Sequence, residues 1–125
     1  MAQRNALFLK TLQSLGIVSL DCGTLSTESV DYPDFAARVA EKVSSGEVTG
    51  GILACGTGLG MAMAANKFRG VRAVVAFDAY TGRMAKEHND ANVLCLGGRL
   101  LKPEQVGPIL QAWLSAEFAG DRHGR

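Results

Sequence analysis

Apolar positions along this chain alternate between helical spacing and strand-length runs. Between residues 5 and 15, Phe8, Leu12 and Leu15 share one helical face, and Gly16 ends the pattern. IVSLDC (17–22) reads as a strand. STESVDYPDFAARVAEKV leads into a helix, with Pro33 suited to its first turn and Asp31 and Asp34 near its positive end. GGILAC (50–55) predicts a second strand, followed by a glycine loop and a helix over about 60–67. RAVVAF (72–77) predicts a third strand, and its continuous apolar run implies burial on both faces. A helix over 79–89, a strand NVLCLG (92–97) and a last helix reaching about 118 complete the alternation. Val106, Ile109, Leu110, Trp113, Leu114 and Phe118 share the spacing of that last helix, which Pro108 would kink or restart.

Strands that alternate with helices, without hairpin signals, imply a parallel sheet covered on both sides. The expected fold is α/β, a Rossmann-like three-layer α/β/α sandwich, in one domain over residues 1–125. Ligands in such sheets bind beyond the carboxyl ends of the strands. Cys22, the stretch from Cys55 to Gly60, Asp78 and the stretch from Gly97 to Arg99 all fall there.

Composition narrows the class. Apolar residues make up 47% and charged residues 20%, as in an ordinary globular domain. A net charge of +1 exerts no long-range pull on nucleic acid or an acidic surface, so no nucleic-acid partner is expected. The three cysteines are far apart and form no CxxC pair, which fits a reducing cytoplasm. Lys10 interrupts the N-terminal apolar stretch, which argues against a secretory leader. Residues 48–66 carry no charge, yet their five glycines, two threonines and Asn66 suit a strand, loop and helix better than a membrane span.

The glycine loop CGTGLG carries the main candidate chemistry. Gly56, Gly58 and Gly60 let the backbone turn tightly and aim N–H groups at one spot beside a helix N-terminus. The anion held there is a cofactor pyrophosphate, a substrate phosphate or the oxyanion of an intermediate. Asp78, 18 residues after Gly60, sits where a ribose-binding acid would serve the first reading. The GxGxG spacing and the missing Walker lysine count against nucleotides. Cys55 is by default a small core residue, but neighbouring amides and a helix N-terminus lower a thiol pKa. EHNDAN (87–92) reads most simply as a polar helix end and turn, with His88 favourable near the helix C-terminus. Arg99 follows a strand's carboxyl end, where a guanidinium can grip phosphate bidentately.

Four stretches together carry a resemblance: GTLSTESVDYPDFA (23–36), GGILACGTGLGMAMAANKFRGVRAV (50–74), EHNDANVLCLGGR (87–99) and AWLSAEFAGDRH (112–123). In order and spacing they resemble the ribose-5-phosphate isomerase B family, within the ribose/galactose sugar-phosphate isomerases. The resemblance implies isomerisation of ribose 5-phosphate to ribulose 5-phosphate through an enediolate, in the pentose phosphate pathway. It implies that Cys55 moves the proton, that the amides of Gly56, Gly58 and Gly60 with the Thr57 hydroxyl stabilise the anion, and that His88 opens the sugar ring. Asn89 and Tyr32 would lie beside the sugar, and Arg99 and Arg122 would hold the phosphate. Neither a metal nor an organic cofactor is implied. The family pocket is shared between subunits, which implies a homodimer or a dimer of dimers.

The family pattern also includes an opening strand with an Asp-His loop, ahead of the point where this sequence starts, and an ending whose second arginine would follow Arg125. A non-catalytic sugar-phosphate-binding or partner subunit of the same fold therefore stands beside the isomerase, and the glycine loop with Asp78 keeps a nucleotide-binding module as a third reading.

Overall fold

The structure, a computed structural model, describes residues 32–119, with the backbone alone at Cys55 and at residues 32–34. The helix expected over 5–15, the strand over 17–22 and Arg122 lie outside these residues. The elements are α1 (Tyr32–Ser44), β1 (Gly51–Cys55), α2 (Leu59–Ala65), β2 (Ala73–Ala76), α3 (Ala79–Glu87), β3 (Val93–Gly97) and α4 (Pro103–Ser115). The strands form a parallel sheet in the order β1-β3-β2.

Every residue of β3 is buried, because this central strand is covered on both faces. Its side chains alternate with the period of two that a strand imposes. Val93 and Cys95 pack with Ala36 and Ala40 of α1 and Met61, Ala62 and Ala65 of α2. Leu94 and Leu96 pack with Ala85 of α3 and Val106, Ile109, Leu110 and Trp113 of α4. The result is the expected three-layer sandwich. In β2, Val74 joins one cluster and Val75 the other, yet both stay half-buried. The expected full burial of this strand belongs instead to β3, since β2 is an edge among the described residues.

Asparagine side chains serve the sheet ends. Asn66 stops α2 and clasps Ala73, donating to its carbonyl at 2.8 Å and accepting from its N–H at 2.7 Å. The amide thereby supplies pairing to the open side of an edge strand. Asn92 accepts from the Arg72 N–H and donates to the Gly70 carbonyl, both at 2.8 Å.

The last helix differs from expectation at both ends. Pro103 opens it, and the Lys102 N–H donates to the Gln105 side chain at 2.7 Å. Pro108 neither breaks nor restarts it, since the one donor it removes would have met the carbonyl of exposed Glu104, which water can serve. The helix ends at Ser115, so Phe118 lies outside it despite its helical spacing. The chain leaves in extended conformation, and the Ala119 N–H donates to the Glu87 carbonyl at 3.0 Å.

Candidate active site

The glycine loop and the arginine turn meet at the carboxyl edge of the sheet. Cys55, the last residue of β1, pairs with Gly97, the last of β3. One residue further on, the Arg99 N–H donates to the Gly56 carbonyl at 3.0 Å. The Gly97 carbonyl accepts from the N–H groups of Leu100 and Leu101, each at 3.0 Å, which folds the GGR turn tightly. Gly56 has no side chain where the Arg99 side chain runs: a Cβ there would stand 3.2 Å from its Cδ and Nε. The guanidinium is thus laid along the glycine loop.

Gly58 adopts φ 86°, a left-handed conformation that costs a side-chain-bearing residue roughly 1–2 kcal/mol. This turn redirects the chain from β1 into α2, which begins at Leu59, one residue earlier than the pattern predicts. Gly60 consequently lies in the first turn of the helix. The Leu59 N–H donates to the Thr57 hydroxyl at 3.3 Å. Beside the loop lies an open concavity of about 250 Å³ lined by Thr57, Leu59, Val75, Ala76, Phe77, Gly97, Leu100 and Leu101. Three of its rim residues are large, apolar and exposed: Leu59 at 60%, Phe77 at 59% and Leu100 at 68%.

The structure gathers Cys55, Gly56, Thr57, Gly58, Gly60 and Arg99 at one edge. Tyr32 is the first residue of α1, a helix whose Val39 and Val43 lie over Gly51 at the start of β1. His88 and Asn89 are elsewhere. They end α3 at the amino edge of the sheet, separated from the glycine loop by the length of β3, roughly 15 Å. Asp90 stands at φ 48° and ends the helix there, its N–H donating to the Lys86 carbonyl and that of Ala91 to the Ala85 carbonyl. The polar-turn reading of EHNDAN therefore holds for Asp90 and Asn92: Arg72 Nε donates to the Asp90 carbonyl at 2.7 Å, and Asn92 ties the strand starts together.

Asp78 is also engaged. It caps α3, accepting from the Thr81 N–H and Thr81 hydroxyl at 2.7 Å each. The backbone hydrogen bond from Thr81, then its side-chain bond, hold the Asp78 carboxyl below its usual pKa, against a small opposing effect of burial. A role on a ribose would compete with this cap. Among the described residues no cluster of His, Cys, Asp and Glu could hold a metal ion, and no helix is long and apolar enough to cross a membrane. Sequence reasoning missed the part played by Gly97. Its signal was a glycine pair closing a fully apolar strand, but the contact it makes is with a residue 40 positions away.

A parallel α/β/α domain with a glycine loop and an arginine turn interlocked at its carboxyl edge belongs to the class that places small anionic ligands beyond its strand ends. The sequence profile described as Ribose/Galactose Isomerase matches residues 2–125. The chain belongs to that family and is an isomerase. It is 49% identical over 108 residues to ribose-5-phosphate isomerase B of Escherichia coli K12, covering 86% of this chain and 72% of the relative. A ribose 5-phosphate isomerase structure from Thermotoga maritima superposes with a TM-score of 0.94 at 45% identity, covering 99% of this chain and 86% of the other. Ribose-5-phosphate isomerase B of Mycoplasma genitalium, solved with bound ribulose 5-phosphate, matches with a TM-score of 0.91 at 38% identity, covering 96% and 80%.

Proposed function

We propose that this isomerase interconverts ribose 5-phosphate and ribulose 5-phosphate, in the cytoplasm, with Cys55 as the proton-transfer group. The observation that carries the reading is the interlock of the CGTG loop with the Arg99 turn, joined through the 3.0 Å bond from the Arg99 N–H to the Gly56 carbonyl. The Arg99 side chain lying along Gly56 supports a reading in which the guanidinium grips the phosphate while the loop stabilises an anion beside it.

The chemistry requires both. A C–H proton next to a carbonyl is weakly acidic, so a base must act together with stabilisation of the charge that develops. In the open-chain aldose the Cys55 thiolate takes the proton from C2. The electron pair moves into the C1–C2 bond, and the charge collects on the C1 oxygen as an enediolate. The loop around Gly56, Gly58 and Gly60 and the Thr57 hydroxyl stabilise that oxygen. The proton returns to C1 as the O2 proton moves to O1, and the ketose forms without net oxidation. Arg99 and Arg122 hold the phosphate, Tyr32 and Asn89 line the sugar, and His88 assists ring opening.

The position of His88 supports a site built from two copies of the chain. Within one copy it stands at the opposite sheet edge from the glycine loop, beyond the reach of its own imidazole. The exposed apolar rim of Leu59, Phe77 and Leu100 beside that loop is suited to cover by a second subunit. The test is conversion of ribose 5-phosphate by the purified chain, with Cys55→Ala as the control. Turnover is expected in the parent and lost in the variant, with the fold kept. Equal turnover in both would remove Cys55 from the chemistry.

A further inference from the structure

Gly97 ends β3 directly against the glycine loop. A methyl group on its Cα would stand 2.8 Å from the Thr57 carbonyl oxygen, 3.0 Å from the carbonyl carbon and 3.1 Å from the Thr57 Cα. All three are backbone atoms, which cannot swing aside as the end of a flexible side chain can. At Gly56, by contrast, the nearest atoms to such a Cβ all belong to the Arg99 side chain. Ordinary contact begins near 3.4 Å, so a side chain at position 97 displaces Thr57 by roughly half an ångström in so closely packed a place.

The Thr57 hydroxyl moves with that backbone. It accepts a hydrogen bond from the Leu59 N–H at 3.3 Å, which occupies one of its lone pairs and leaves its proton to be directed elsewhere. Both ends of this small unit are therefore fixed: the N–H of α2 orients the hydroxyl, and the bare Cα of Gly97 sets how deep the Thr57 backbone sits. We infer that Gly97 is a positioning residue for the isomerisation, its missing side chain placing the Thr57 hydroxyl against the oxygen on which the enediolate charge develops. The inference rests on the reading of Thr57 as a catalytic hydroxyl.

The experiment is a double-mutant cycle on the full chain: Gly97→Ala, Thr57→Val and both together, assayed on ribose 5-phosphate. Gly82→Ala is the control. Its Cβ would meet the Ile109 carbonyl oxygen at 2.9 Å, the same kind of crowding at the α3–α4 contact instead of the loop. In Gly97→Ala we expect kcat to fall about tenfold, the scale of a sub-ångström misplacement. Apparent affinity for inorganic phosphate should stay within about twofold of the parent, since Arg99 is only indirectly touched. Gly82→Ala should lower Tm and leave kcat unchanged at a temperature where it is folded. In the Thr57→Val background, adding Gly97→Ala should cost less than about twofold, because the group it places is gone.

An unchanged kcat in Gly97→Ala overturns the inference, as does a full-sized Gly97 effect in the Thr57→Val background. If Gly97→Ala fails to fold, Thr57→Val keeps the inference open to refutation: wild-type kcat there overturns it, because Gly97 then has nothing to place. An inactive parent chain would overturn the functional reading and this inference with it. The other outcomes bear on Gly97 alone.

Discussion

Mixing two inactive variants tests whether the active site is assembled from two copies of the chain. Cys55 closes β1 at the carboxyl edge, whereas His88 caps α3 at the amino edge. The five residues of β3 separate the two edges by roughly 15 Å, more than twice the reach of a histidine side chain. In a closed twofold dimer each site then takes its cysteine from one copy and its histidine from the other. Cys55→Ala and His88→Ala homodimers carry a defect in both sites. A mixed dimer carries both defects in one site and leaves the other intact. Random assortment makes about half of the dimers mixed, each with one working site, so the mixture should recover about a quarter of parental turnover. Mixed dimers isolated through two different affinity tags should recover about half. The assay is ribulose 5-phosphate formation after co-expression, compared with the sum of the separate variants. Isolated mixed dimers that turn over no faster than that sum would refute the shared site.

Two further predictions concern stability. Asn66→Ala removes both hydrogen bonds to buried Ala73 and leaves an edge-strand N–H and C=O to be served by water; the loss should be about 1–3 kcal/mol in urea unfolding. Asp78 has its folded pKa lowered below 3.8, so its contribution to stability is full above that value and is lost as pH falls through the lowered one. Asp78→Ala should therefore destabilise the protein at neutral pH and flatten the acid limb of its stability profile; an acid limb identical to the parent's would show that the cap is not linked to folding.

The period of the apolar residues was enough to place most elements. The runs at 50–55 and 92–97 became β1 and β3 within a residue, and α2 closed at Asn66, near its expected end. Such runs are legible because strand and helix periods follow from backbone geometry, which each local stretch carries by itself. Periodicity misled where a neighbour intervened. Phe118 keeps the spacing of α4, but the chain leaves the helix after Ser115, and a hydrogen bond from Ala119 to α3 holds it there. Pro108 signals a kink or a restart, yet α4 runs from Pro103 to Ser115 without restarting there, its Val106, Ile109 and Trp113 buried.

The site divides in the same way. Cys55 to Gly60 and Arg99 were legible as candidates because each follows an apolar strand at the edge where parallel sheets bind ligands. That the two stretches interlock could not be read, since the contact of Gly97 with Thr57 depends on β1 and β3 being neighbours in register. Asp78 looked available for a ribose in a linear reading, and the fold assigns it to a helix cap; Asp90 ends its helix as the polar-turn reading expected. His88 stands near the strand of Arg99 in sequence but at the far edge of the sheet in space. Local residue chemistry thus proposed the groups, and strand order and direction decided which of them can meet, because a parallel sheet sends the two ends of every strand to opposite edges.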